Sequence, residues 1–170
     1  MTLEIRKANP NDLPQVLALA DACLLQLRLE NIMQWDDIYP NPEVFEMDIR
    51  SGTLFVAVWE HNVVGSVALD FEQPEEYQPV SWQYQGKMLI VHRLCVDPLR
   101  HRQGIATTLM DFAEQSALKQ ACSGLRLDAY SGNNSALKLY ETRDYRLAGQ
   151  VFFPRRPEPF YCLEKTLTRL

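Results

Sequence analysis

The apolar residues of this chain recur with two different periods, and the switches from one to the other mark its elements. Leu3 to Lys7 alternates as a short strand does, and Leu13, Val16, Leu17, Ala20, Leu24 and Leu27 then recur at helical spacing. The second pattern predicts an amphipathic helix capped by Asn11, with Pro14 inside its first turn. A second, shorter helix is expected from Pro42 to Arg50. The β-branched and aromatic runs Thr53 to Trp59 and Val63 to Leu69 flank Glu60-His61-Asn62, which predicts an antiparallel hairpin.

Phe71 to Gly86 has prolines, acids and aromatics without a clean period, and connections of that length are more often functional loops than passive ones. Lys87 to Val96 is a near-continuous apolar run, as a strand buried on both faces reads. Asp97-Pro98 ends it, because proline cannot donate to a ladder and biases its predecessor away from helix. Downstream, the pattern predicts a helix to about Gln120, a strand at Leu125 to Ala129 and a helix at Asn133 to Thr142. Strands at Tyr145 to Phe152 and Phe160 to Leu167 complete the chain. The expected order is β-α-α-β-β-β-α-β-α-β-β, an α+β fold with a mixed sheet, in a single domain over residues 1–170.

Composition changes this picture little. With 170 residues, 46% of them hydrophobic and 23% charged, the chain can bury a sizeable core and has no segment that reads as disordered. Its net charge of −5 argues against a nucleic-acid backbone as partner. Cys23, Cys95, Cys122 and Cys162 form no Cys-x-x-Cys pair and are expected to be buried thiols. The segment from Met1 to Lys7 lacks the basic-then-apolar pattern of a signal peptide, and no apolar run approaches the ~20 residues of a membrane helix. A cytoplasmic protein without a membrane partner is the expectation.

The sharpest chemistry lies where the central strand gives way to a helix, at Asp97-Pro98-Leu99-Arg100-His101-Arg102-Gln103-Gly104-Ile105-Ala106-Thr107. A helix that opens this way offers unpaired backbone N–H groups at the positive end of its dipole, which suits an anion such as a pyrophosphate. Gly104 and Ala106 leave the backbone approachable, and Arg100 and Arg102 add charge. Gly104 alone would fit an ordinary tight turn equally well. A nucleotide P-loop and a Gly-x-Gly-x-x-Gly dinucleotide fingerprint are both absent.

This turn resembles the acyl-CoA signature of the GNAT acyltransferase superfamily, Arg/Gln-x-x-Gly-x-Gly/Ala, which falls here on His101 to Ala106 with His101 in the place of the usual Arg or Gln. Asn133-Asn134-Ser135-Ala136-Leu137-Lys138-Leu139-Tyr140 resembles the family's Asn-x-x-Ala-x-x-x-Tyr segment, and the element order resembles the family's layout with its splayed, mostly antiparallel central sheet. The family's usual Gly-Phe after the tyrosine is Asp144-Tyr145 here. Aspartate tolerates the left-handed backbone that a helix end requires.

The resemblance implies acetyl-CoA as cosubstrate, with no metal. Its pyrophosphate would lie on Arg102, Gln103, Gly104, Ile105, Ala106 and Thr107, and its pantetheine arm on the backbone of Leu94, Cys95 and Val96 and beside Asn133 and Ala136. Tyr140 would be the general acid that protonates the departing thiolate. The N–H of Leu94 would polarise the thioester carbonyl.

An ammonium acceptor must lose a proton before attack, and His92 is the candidate base, with Asp70, Glu72 and water chains as alternatives. Strict alternation places Ile90, His92, Leu94 and Val96 on one face of the strand and Val91, Arg93 and Cys95 on the other. Trp35 and Tyr39, with Asp36 and Asp37 beside them, are candidates for the acceptor site, as are Tyr77, Trp82 and Tyr84. The same aromatics could instead pack on the domain or on a second subunit. The acceptor would be a small-molecule or peptide amine, and the protein a monomer or homodimer. A non-catalytic acyl-CoA-binding module is the alternative to an enzyme.

Overall fold

The computed structural model describes residues 2–167; Met1 and residues 168–170, the ends of the expected 1–170 domain, lie outside the described residues. The elements are β1 (Glu4–Lys7), α1 (Leu13–Leu29), α2 (Pro42–Ser51), β2 (Leu54–Trp59), β3 (Asn62–Asp70) and β4 (Met88–Val96), followed by α3 (Ile105–Lys119), β5 (Gly124–Tyr130), α4 (Asn134–Glu141), β6 (Arg146–Val151) and β7 (Phe160–Thr166). Type and order match the hydrophobic pattern throughout. The strands form one seven-stranded sheet in the order β1-β2-β3-β4-β5-β7-β6. Every pairing between β1 and β2, β2 and β3, β5 and β7, and β6 and β7 is antiparallel; β4 with β5 is parallel.

The chain divides into two compact units, and β4 and α3 each contribute to both. The first holds residues up to Asn31, Trp35–Leu69 and His92–Phe112. Its core joins the buried stripe of α1 (Val16, Leu19, Ala20, Cys23) to Phe45 and Ile49 of α2 and to Leu54 and Val56 of β2. Phe112 of α3 meets Phe55 at 4.9 Å between ring centroids.

The entry to α1 differs from the expected Asn11 cap. Asn9 caps a short 3-10 turn, Pro10–Asp12, and the Asp12 carboxylate accepts the Asn9 N–H at 2.8 Å, closing a capping box. Asn11 contributes only its own N–H, to Asn9 Oδ1. Arg6 of β1 grips both oxygens of Asp12 at 2.7 and 2.8 Å, so the turn is stapled to the first strand.

The second unit comprises Ile32–Gln34, Asp70–Val91 and the described residues from Ala113 onward. Its parallel ladder covers only Met88–Ile90 against Gly124–Arg126, although both strands run on. The connection from Phe71 to Gly86 is not the open loop that its lack of period suggests. A 3-10 turn at Glu75–Tyr77 buries Tyr77 in a cluster with Met88, Ile90, Tyr130 and Cys162, and the Tyr77 hydroxyl donates to Asp128 at 2.6 Å.

Two buried residues of opposite charge hold the rest of that connection. Glu164 of β7 accepts the N–H groups of Gln83 and Tyr84 at 2.7 and 3.3 Å. Arg126 of β5 donates to Gln73 and to the Tyr84 carbonyl, and its guanidinium lies 4.4 Å from the Trp82 ring. Tyr77 is therefore a core residue and the partly buried Trp82 packs against that core, both tied down by contacts that lie far away in sequence.

Candidate active site

The turn before α3 is built by its own polar groups. Asp97 accepts the Leu99 N–H at 3.0 Å and caps a 3-10 turn at Pro98–Arg100, which is how the Asp-Pro pair stops β4. His101 then extends the chain, its ring Nε2 3.3 Å from the Val96 carbonyl. The position at which this chain departs from the family signature thus bonds back to the end of β4. Arg102 and Gly104 both adopt left-handed backbone, φ 63° and 80°.

Gly104 explains itself by that angle, which costs an L side chain about 1–2 kcal/mol. A Cβ built on it would meet nothing within 4 Å, so the space over the turn is open. The first helical bond of α3 runs from Thr108 N–H to the Gly104 carbonyl at 2.9 Å, and the Thr108 hydroxyl joins it at 2.9 Å. The N–H groups of Ile105, Ala106 and Thr107 therefore precede any helical acceptor. The side chains of Arg102, Gln103 and Thr107 are exposed, Ala106 is half-buried, and Ile105 is buried. Ile105 is the anchor: its Cγ2 would stand 3.1 Å from a Cβ on Gly65, so the glycine leaves room for α3 to pack closely on β3. Arg100 lies over the Trp59 ring at 5.4 Å. An exposed, glycine-opened helix start flanked by arginine fits the diphosphate of a coenzyme.

In the last part of β4, Cys95 is buried with its thiol 3.3 Å from the Ser66 hydroxyl, and the Val96 carbonyl accepts from the Cys23 thiol at 3.3 Å. Leu94 and Val96 are half-buried. The expected alternation along this strand fails at Arg93, whose φ of 50° puts a left-handed residue inside a strand. Such a break shifts the pleat by one residue, so His92, half-buried ahead of it, does not share a phase with Leu94 and Val96 beyond it. The broken phase was hidden because the run of apolar residues continues through it.

The contact of Arg93 with Asp48 and Tyr39 has no signature in the sequence. Its guanidinium takes both oxygens of Asp48 in α2, Nε and Nη2 each at 2.9 Å, and Nη1 donates to the Tyr39 hydroxyl at 3.0 Å. Tyr39 closes a turn in which Asp36 Oδ1 accepts the N–H groups of Ile38 and Tyr39 at 2.9 and 2.7 Å. Trp35 packs, partly buried, on the core of the first unit. Of the acceptor candidates in this segment, Trp35 is thus largely a packing residue, and Tyr39 is pinned by its hydroxyl with its ring partly exposed. The sequence shows only a charged residue inside an apolar strand.

In the second unit, Asn133 lies just outside α4 as its N-cap, one residue before the first helical position. Its Oδ1 accepts the Ala136 N–H at 3.1 Å and its amide donates to Gln34 at 2.7 Å. Ala136 and Tyr140, four residues apart, do share a face of α4. Tyr140 is buried, with its ring edge-on to Tyr145 at 5.7 Å. No hydrogen bond to its hydroxyl is present among the described residues. Burial, and then the charge of Asp128, raise its pKa above the ordinary phenol range, so it stays protonated at neutral pH. Tyr145 donates to Glu114 at 3.3 Å, and Asp144 takes the left-handed backbone, φ 64°, that the replaced glycine would have supplied.

All four cysteines are buried, and none of them is in a disulfide. Among the described residues no group of three or more His, Cys, Asp or Glu side chains is arranged to hold a metal, and no helix is long and apolar enough to cross a membrane.

Comparison with known proteins agrees with this layout. Human N-acetyltransferase 8 is 34% identical over 105 residues, which are 61% of this chain and 43% of that protein, so the match spans less than half the relative's length. The crystal structure of a GNAT-family acetyltransferase from Streptococcus agalactiae superposes with a TM-score of 0.84 at 19% identity, covering 98% of this chain and 96% of that one. The PaiA N-acetyltransferase of Thermoplasma acidophilum, solved in complex with coenzyme A, gives 0.73 at 16% identity over 98% and 100%. Residues 23–145 match the Acetyltransferase (GNAT) family, and the chain belongs to that family.

Proposed function

We propose that this chain, as one domain over residues 1–170, is an N-acetyltransferase that moves the acetyl group of acetyl-CoA to a primary amine by direct attack. The observation that carries the reading is the start of α3, where left-handed Gly104 opens onto free space beside N–H groups that have no helical acceptor. Arg102, Gln103, Gly104, Ile105, Ala106 and Thr107 hold the diphosphate; Ile105 takes part only through its N–H because its side chain is buried. The backbone of Leu94, Cys95 and Val96 and the face carrying Ala136 hold the pantetheine arm. Asn133 joins them only by exchanging its bond to Gln34.

Acetyl-CoA supplies an activated acyl group with a thiol as leaving group. Tyr140 holds its proton at Oη and offers it to the departing sulfur. Its raised pKa means that the phenol helps by hydrogen bonding as charge develops, since complete transfer to a thiolate of lower pKa is uphill. His92 accepts a proton from the acceptor ammonium, directly or through water, and the free amine then attacks the thioester. The N–H of Leu94 polarises the thioester carbonyl. Direct attack is favoured over an acyl-cysteine because every cysteine is buried. The acceptor is a small molecule or a peptide amine that meets the exposed side of Tyr39.

Thiol release from acetyl-CoA across a panel of amines tests this reading. An amine-dependent rate that falls on Tyr140→Phe supports it. Tight coenzyme binding with no acceleration by any amine would replace it with a binding module.

A further inference from the structure

We infer that Arg93 is a positioning residue: through the Tyr39 hydroxyl it fixes the segment Trp35–Tyr39 against β4, immediately beside His92, and so sets the acceptor wall. That this wall meets an acceptor rests on the acetyl-transfer reading; that Arg93 fixes the segment does not.

The turn in this segment is closed by Asp36 Oδ1 and by the Asp36 N–H to the Tyr39 carbonyl at 3.0 Å, bonds that set its shape. The Arg28–Asp37 pair at 2.7 Å reaches α1, but its side chains are 49% and 80% exposed, and pairs in that setting contribute little. Trp35 holds one end by packing. The other end is held by Arg93, whose side chain and that of Asp48 are each 11% exposed.

Three features make this a built contact. The guanidinium fork spends two N–H directions on Asp48, which locks its plane, and the third nitrogen then has one place to point. The left-handed backbone at Arg93 is unfavourable for a side chain, yet it is kept, and it is the break that re-aims the residue within β4. Tyr39 keeps 36% of its surface exposed, so the hydroxyl is committed to the protein while the ring remains open to a ligand.

The test uses the whole protein with Tyr39→Phe, which removes only the hydroxyl, and Arg93→Lys, which keeps the charge and loses the fork. Hydrogen exchange across residues 36–39 is measured together with KM for acceptor and for acetyl-CoA. Both variants should exchange faster in this segment, with the rest of the protein unchanged. The acceptor KM should rise about tenfold, the acetyl-CoA KM should hold, and the double variant should add little to either single one. Unchanged exchange in Tyr39→Phe overturns the inference, and so does a general loss of protection in which both KM values rise together. If the unaltered protein releases no thiol to any amine, the acetyl-transfer reading falls, and the exchange measurement still decides whether Arg93 fixes the segment.

Discussion

Replacing Gly104 separates the cost of its backbone from its work. In Gly104→Ala the new side chain inherits φ 80°, which costs about 1–2 kcal/mol. It adds no clash, because nothing lies within 4 Å of the new Cβ. For a domain of this size each kcal/mol lowers Tm by about 2–4 °C, so a fall of roughly 2–8 °C is expected by calorimetry. The methyl group also enters the open space proposed for the coenzyme diphosphate. Loss of one charge-assisted bond there, about 1.5–3 kcal/mol, weakens acetyl-CoA by roughly ten- to a hundredfold in isothermal titration.

Gly104→Glu carries the same backbone cost but brings a negative charge. Like charges about 4 Å apart repel by about 4 kcal/mol at an effective dielectric of 20, or roughly a thousandfold in affinity. The two variants should therefore have similar Tm and clearly different affinity. Unchanged acetyl-CoA binding in both would refute the placement of the diphosphate, and a collapse of Tm in Gly104→Ala would refute the claim that the space is open.

Tyr140→Phe should lower kcat about a hundredfold while the acetyl-CoA affinity stays within about twofold, measured by thiol release and titration. Tyr77, Tyr140 and Tyr145 are all held above the ordinary phenol pKa, chiefly by burial. The unfolded chain gives up these protons first, so each group's contribution is complete below about pH 10 and is lost above it. Denaturant midpoints should fall there with a slope of about 1.4 kcal/mol per pH unit for each tyrosine; a flat profile to pH 11 would contradict their burial. The Asp12 carboxylate is held below its usual range, mainly by its hydrogen bond to Arg6. Its contribution is present above about pH 4 and lost as the pH falls. Asp12→Asn should cost about 1–3 kcal/mol and flatten that acid limb.

The parts of the fold that follow from period were legible in the sequence. The α1 stripe, the hairpin of β2 and β3 and the stop at Asp97-Pro98 each depend on residues within one or two turns of each other. Asp144 was legible for the same reason, since its left-handed backbone is a local requirement. The connection from Phe71 to Gly86 was not, because its order comes from Arg126, Asp128 and Glu164, which lie on strands far along the chain. The cap before α1 was shifted by Asp12, whose carboxylate serves Asn9 and Arg6 together and makes a 3-10 turn the better start.

In the candidate site, the shape of the turn before α3 was readable because it is backbone geometry signalled by a glycine. The break at Arg93 was not, since a left-handed residue in an apolar run leaves no mark on the pattern. The fate of Asn133 was readable only in half. Its capping role is local, but its partner Gln34 is not.

The central claim is that this chain carries an acetyl group from acetyl-CoA to an amine nitrogen. The direct test incubates the protein with isotopically labelled acetyl-CoA and a mixed panel of small amines and peptides, and follows free thiol and product mass together. The account predicts one labelled acetyl group gained on an amine for each thiol released, with both signals lost in Gly104→Glu. Thiol released without any acetylated amine, or an undiminished yield from Gly104→Glu, would contradict it.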